Sequence, residues 1–173
     1  MLSDKMLKAL NDQITKEFHS AYLYMAMSAY FEGENLPGFA KWMRLQAQEE
    51  SGHALIFFNY TCERGGKVTL GAVDAPPTTF KSAVDVFEKT LAHEQFITDS
   101  INKLMDLAIK ESDHATRAML QWFVTEQVEE EAKASQILAR LHMMKGGGNG
   151  LLMMDGGLGS RTFAVPSPLA GKL

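Results

Sequence analysis

Four stretches of this chain each carry apolar residues in alternating steps of three and four, and each interrupts that row near its middle with side chains that avoid apolar surroundings. The first row reads Leu7, Leu10, Ile14, Glu17, Ala21, Tyr24, Ser28, Phe31, and the second Phe39, Met43, Gln46, Glu50, His53, Phe57, Tyr60. The third reads Phe80, Val84, Phe87, Leu91, Glu94, Thr98, Ile101, Met105, Ala108, and the fourth Thr116, Leu120, Phe123, Gln127, Glu130, Ala134, Ile137, Leu141. Such spacing puts each row on one stripe of a helix, so the fold class is all-α, four helices with their stripes facing a common core. Glu17, Glu50, His53, Glu94, Gln127 and Glu130 then point into that core.

An unpaired buried carboxylate costs several kcal/mol, and here four would share one small volume. Two remedies exist. Crowded carboxylates can raise one another's pKa and stay protonated, or two divalent cations can balance four negative charges. The charge balance favours the metal pair. Glu50-x-x-His53 places a carboxylate and an imidazole side by side on one helix face, a donor set suited to Fe(II), Mn(II) or Zn(II). A single polar residue in such a row is ordinarily a register device, but six at one level of a bundle call for a ligand.

The punctuation of the chain sets the topology. Ser3 or Asp4 is a credible N-cap for the first helix, which should end near Gly33; the second opens after Pro37 and closes at Gly65 and Gly66. So short a link makes these two antiparallel. The connection from Gly66 to about Thr79 is long enough to run the length of a bundle, so helices two and three should be parallel. Ser112 and Asp113 separate helices three and four, which are again antiparallel. Up, down, a long crossover, then up, down is the ferritin-like arrangement of four helices. Residues 1–145 form this bundle, and 146–173, holding eight of the chain's 14 glycines, form a separate tail or a short fifth helix. Gly156, Gly157 and Gly159 argue against a long fifth helix there, at about 1 kcal/mol each.

Composition excludes several classes of function. The net charge is -4 and the 17 Lys and Arg residues are scattered, so no nucleic acid is expected as a partner. No apolar run approaches the roughly 20 residues that cross a bilayer, and the start, MLSDKMLKALNDQ, lacks the apolar core of a signal peptide, so a cytoplasmic location without membrane attachment is expected. The single cysteine, Cys62, excludes an internal disulfide and a Cys-x-x-Cys metal site, and reads as a small buried hydrophobe. His19, His93, His114 and His142 lie off the rows and read as surface histidines.

From Met1 to about Lys145 the chain resembles a bacterial non-haem ferritin. Besides the row residues, the likeness rests on Tyr24, on Trp122 ahead of the fourth-helix ligands, and on the run Glu126-Gln127-Val128-Glu129-Glu130. The resemblance implies a ferroxidase centre with Glu17, Glu50 and His53 on one iron, Glu94 and Glu130 on a second, and Glu50 bridging. Gln127 would sit beside the pair, and Tyr24 would supply an electron or orient a ligand, its other reading being a buried phenol bonded to a carboxylate. A third iron position is implied near Glu49, Glu126, Glu129 and Glu130, against which stands a solvated face with Lys133 pairing to Glu129. The oxidant would be dioxygen or hydrogen peroxide, and the assembly a homo-oligomeric shell of 24 subunits storing ferric mineral.

Departures from related families narrow the reading. Bacterioferritins repeat Glu-x-x-His on the fourth helix where this chain has Gln127-x-x-Glu130, and no methionine matches their haem ligand, so no haem is expected. One cysteine cannot build the four-cysteine module of rubrerythrins. At the places matching the acidic three-fold pore of animal ferritins stand Arg117 and Leu120, and the family's short fifth helix falls on the glycine-broken Leu151 to Arg161. Leu151, Leu152, Met153 and Met154 have no place in the four rows and suit contacts between subunits. A di-iron oxidase or peroxidase acting on a small molecule, and a purely structural helical bundle, are the alternative functions.

Overall fold

The computed structural model describes residues 1–144 and 148–171. Its helices are α1 (Asp4–Gly33), α2 (Pro37–Glu63), α3 (Ala83–Lys110), α4 (His114–Met143) and α5 (Gly148–Gly159), followed by a 3-10 turn at Ser167–Leu169. The expected boundary at Lys145 and Gly146 lies outside the described residues. Among those that are described, no helix is long and apolar enough to cross a membrane.

Capping chemistry explains the helix starts. Ser3, rather than Asp4, caps α1, its Oγ accepting from the Met6 N–H at 3.0 Å. Ser82 caps α3 by accepting from Asp85 N–H, which places that helix start at Ala83 and leaves Phe80 in the connection before it. Asp113 caps α4, accepting from Thr116 N–H at 3.1 Å. Gly65, after α2, sits at φ +70°, a left-handed conformation that glycine adopts without steric penalty.

Side-chain pairs fix the relative directions. Gln13 meets Ser100, Ser20 meets His93 and Met27 meets Thr90, so α1 and α3 are antiparallel. Gln46 meets Glu130 and Tyr60 meets Thr116, so α2 and α4 are antiparallel as well. Ser28 bonding to the Ala40 carbonyl makes α1 antiparallel to α2, and α2 is therefore parallel to α3, as the long crossover requires. That crossover is pinned to α1: Thr69 N–H donates to Asn11 Oδ1, Gly71 N–H donates to Thr15 Oγ1, and Phe80 packs on Tyr30 at the far end.

In α4 the buried residues are the eight members of the fourth row and no others. In α1 the row holds from Leu10 onward, but Met6 takes the buried place expected for Leu7. Apolar burial falls into two clusters. One gathers Met27, Phe31, Phe39, Trp42, Phe87 and Leu141 toward α5, and the other Leu10, Ile14, Phe57, Ile101, Leu120 and Phe123 toward the opposite end. The polar row residues form a layer between them.

Two sequence expectations change, and one open alternative is resolved. Cys62 is exposed, because the inward position on that turn falls to Thr61, whose hydroxyl donates to the Phe57 carbonyl, and the next residue lies about 100° further round the helix. Of the two forms expected for the tail, it takes the short helix, the twelve-residue α5, despite its glycines. Leu151, Met154 and Leu158, at helical spacing, pack on the cluster near α2, and Asp155 Oδ1 accepts the Phe39 N–H at 2.9 Å, an α2 donor that Leu36 cannot cap. A Cβ on Gly38 would lie 1.8 Å from the Asp155 carbonyl oxygen, and one on Gly159 3.3 Å from Gly38 Cα. The glycines thus allow two backbones to touch, and tertiary packing outweighs their poor helix propensity. Of the four apolar residues expected to suit subunit contacts, only Leu152 and Met153 are exposed.

Candidate metal centre

The polar layer is drawn from all four long helices. Glu17, Glu50, His53, Glu94, Gln127 and Glu130 are each no more than 3% exposed. One carboxylate oxygen each from Glu17 and Glu50 and one His53 ring nitrogen lie within 4.8 Å of one another. His53 Nδ1 is 3.5 Å from Glu50 Oε2, and the imidazole is held edge-on against Trp122 and Phe123. Both aromatic rings therefore fix its orientation.

Each remaining carboxylate is oriented by neutral donors or by a lysine. Glu17 Oε1 accepts from Gln13 Nε2 at 2.7 Å; Gln13 in turn accepts from Ser100 Oγ, which accepts from Lys16 Nζ. Glu17 Oε2 receives no N–H or hydroxyl donor, the one buried side-chain oxygen or nitrogen so placed among the described residues, and its neighbour is the Glu50 carboxyl. A buried acceptor without a donor is aimed at something that binds there. Tyr24 donates its hydroxyl to Glu94 Oε1, and Gln127 Nε2 lies 3.3 Å from Glu94 Oε2. Glu130 accepts from Gln46 Nε2 at 2.7 Å on one oxygen and from Lys133 Nζ at 2.8 Å on the other.

The electrostatics follow from burial. Desolvation first, and then the charge of Glu50, push the Glu17 carboxyl from 4.5 up to about 8. Desolvation and then Glu130 push Glu94 up to about 7. Glu50 is raised well above the carboxylate range by burial, then by Glu94 and Glu130, which identifies it as the centre of the charge cluster. Burial and Glu94 push the Tyr24 phenol up as well, so it remains a donor. Without a cation Glu17 and Glu50 hold protons near neutral pH, and a divalent ion would replace them. Carboxylates with one imidazole and an orphaned oxygen fit Fe(II), Mn(II) or Zn(II).

The residues expected for a third position are placed differently. Glu49 is paired with Arg161 at 2.6 Å, Glu126 is half-buried and Glu129 is exposed. Lys133 pairs with Glu130 rather than with Glu129, since a spacing of three turns it toward the core side. His93 is not a surface histidine. Its Nε2 lies 2.7 Å from Ser20 Oγ, its ring meets Tyr24 edge-on, and burial followed by the proximity of His19 pushes it down to about 4, so it stays neutral. Gln13, Gln46 and Arg161 are supporting residues that sequence reasoning missed, and Lys133 is one that it paired with Glu129 instead. Gln46 sits in the second row and was legible there, whereas Gln13 lies beside the first row and Arg161 in the glycine-rich tail, where no periodicity marks them.

Comparison with known proteins gives one answer at three levels. The profile of the ferritin-like domain family matches residues 7–144. A bacterial non-heme ferritin of Bacteroides fragilis is 41% identical over 161 residues, covering 93% of this chain and all of that protein. One from Campylobacter jejuni is 43% identical over 155 residues, covering 90% and 93% respectively. Among solved structures, an open pore ferritin from the archaeon Archaeoglobus fulgidus superposes with a TM-score of 0.93 at 44% identity, over 94% of this chain and 100% of that one.

Proposed function

Since this chain belongs to the ferritin-like domain family, we propose that it stores iron in the cytoplasm, taking up Fe(II) at the buried centre, oxidising it with dioxygen or hydrogen peroxide, and laying down ferric mineral inside a homo-oligomeric shell of 24 copies. The observation that carries this reading is the group of Glu17, Glu50 and His53, within 4.8 Å of one another and buried, with the Glu17 Oε2 lone pairs unused. That arrangement is costly for a purely structural bundle and useful to a protein that binds cations.

In this reading Glu17, Glu50 and His53 hold one ferrous ion, Glu94 and Glu130 hold the other, and Glu50 is shared. Two ferrous ions so held each supply one electron to the bound oxidant, and carboxylate oxygens stabilise the ferric product. The chain's own work is to place these groups and to move protons. Gln13 orients Glu17, Tyr24 and Gln127 orient Glu94, and Gln46 with Lys133 orients Glu130. At neutral pH Glu17 arrives carrying a proton and Glu94 is about half protonated, and both release what they hold as the metal enters. Tyr24, bonded to Glu94 and raised above the ordinary phenol range, keeps its proton and could supply a further electron only by passing that proton to the Glu94 carboxylate.

Aerobic loading with Fe(II), read as iron per chain alongside particle size, tests the proposal. Hundreds of irons in a large particle are expected. About two irons per chain in a small particle would instead describe an oxidase. Replacing Glu50 and His53 together with alanine should abolish fast oxidation while leaving the helical circular dichroism intact.

A further inference from the structure

After α5 the chain turns back along α2 and contacts it at nearly every turn. Lys41 Nζ donates to the Gly159 carbonyl at 2.8 Å, the Arg161 guanidinium lies 5.0 Å over the Trp42 ring, Pro166 packs on Gly52, and Leu169 is buried in the cluster that includes Ile56. A Cβ at Gly52 would sit 3.2 Å from Pro166 Cγ, so that glycine gives the strap its room. Arg161 is thus a held side chain, 19% exposed, and not a free surface cation.

Its guanidinium is aimed at the outer edge of the metal layer. Nη2 donates to Glu49 Oε2 at 2.6 Å and Nη1 donates to Gln46 Oε1. The Gln46 amide passes the connection on, donating to Glu130 Oε2, while Lys133 Nζ bonds the other Glu130 oxygen. Glu49, Arg161, Gln46, Glu130 and Lys133 form one continuous network, with half-buried Glu126 a helical turn from Glu130. Burial raises the Glu49 and Glu126 carboxyls, and Arg161 and Lys133 oppose the rise at Glu49. Glu49 and Glu130 therefore already have positive partners supplied by the chain itself.

We propose that Arg161 and Lys133 stand where a third metal ion would bind, so that each chain holds two ions tightly and not three. The inference rests on the dinuclear reading above and deepens it. A divalent ion entering among Glu49, Glu126 and Glu130 would have to displace the Arg161 bond to Glu49 and would then face two fixed positive charges at short range. Among the described residues no lysine or arginine bonds Glu17, Glu50 or Glu94, and Glu130 alone of the dinuclear set has a cationic partner, Lys133 on one of its oxygens; the Arg161 bond to Glu49 bears only on the third position.

The test is a titration of the metal-stripped, assembled protein with Zn(II), a redox-silent probe, followed by calorimetry and by metal analysis after dialysis. Wild type and R161K should take up two ions per chain, and the R161Q/K133Q double variant three, the third at least about tenfold tighter than any third ion on wild type. Because R161Q can loosen the strap, K133Q is scored on its own, since Lys133 bonds Glu130 and not the strap; it should tighten the third ion about threefold or more. Wild type holding three ions as tightly as the double variant overturns the proposal, as does a double variant that stops at two. The Glu50→Ala, His53→Ala double variant separates the two layers of argument: if wild type binds no more Zn(II) than that variant does, the dinuclear reading fails and this inference falls with it.

Discussion

Replacing Glu17 with glutamine should make the metal-free protein more stable, and by an amount that depends on pH. Folding raises the Glu17 carboxyl from 4.5 to about 8, chiefly by desolvation. The folded state therefore keeps a proton that the unfolded chain gives up, and stability falls as pH rises from 4.5 through 8. At about 1.4 kcal/mol for each pH unit, the loss at pH 8 is about 5 kcal/mol. Glutamine mimics the protonated acid in shape, can still accept from Gln13 through its carbonyl, and does not titrate. In chelator-treated protein, denaturant midpoints of Glu17→Gln and wild type should converge near pH 4.5 and separate progressively up to pH 8, the variant being the more stable by several kcal/mol. Zn(II) should reverse the order at pH 8, because wild type regains a ligand that the variant lacks. A stability difference that stays flat between pH 5 and 8, or a variant that is weaker throughout without metal, would refute the reasoning.

Metal uptake should release protons, since Glu17 at about 8 and Glu94 at about 7 are raised carboxyls that ligation ionises. Because Glu50 is raised as well, Zn(II) titration in weakly buffered indicator at pH 6.5 should show release of about two to three protons per chain, and an absence of release would contradict the assigned protonation. Asp155→Ala removes the acceptor for the Phe39 N–H at the start of α2 and should lower stability by about 1 kcal/mol. Hydrogen exchange should then quicken in α5 and the first turn of α2 well before the rest of the bundle; uniform quickening would mean that α5 is not held by this contact.

Much of the bundle was legible because its signals are local or periodic. The fourth row coincides residue for residue with the buried face of α4, and the caps at Ser3 and Asp113 are where the side-chain chemistry places them. Polar residues at row positions declared the layer directly: a heptad row has one inward direction, so Glu17, Glu50, His53, Glu94, Gln127 and Glu130 had nowhere else to point. Errors arose where an off-row residue depended on its neighbours. His93 looked exposed by position, yet it is covered because α1 presents Ser20 and Tyr24 opposite it. The partner of Glu49 was likewise hidden, because nothing in the linear order connects it with Arg161, 112 residues later.

By itself the amino-acid order determined four helices, their up-down directions and six inward polar groups, since spacing, caps and link lengths act over a few residues and need no knowledge of the partner helix. Only the tertiary structure decided which carboxylate oxygen is left without a donor, that glycines 38 and 159 let α5 lie against α2, and that the returning strap carries a guanidinium onto Glu49. Those outcomes depend on distances between segments far apart in the chain. Burial and Coulomb energies are functions of such distances, and no local pattern encodes them.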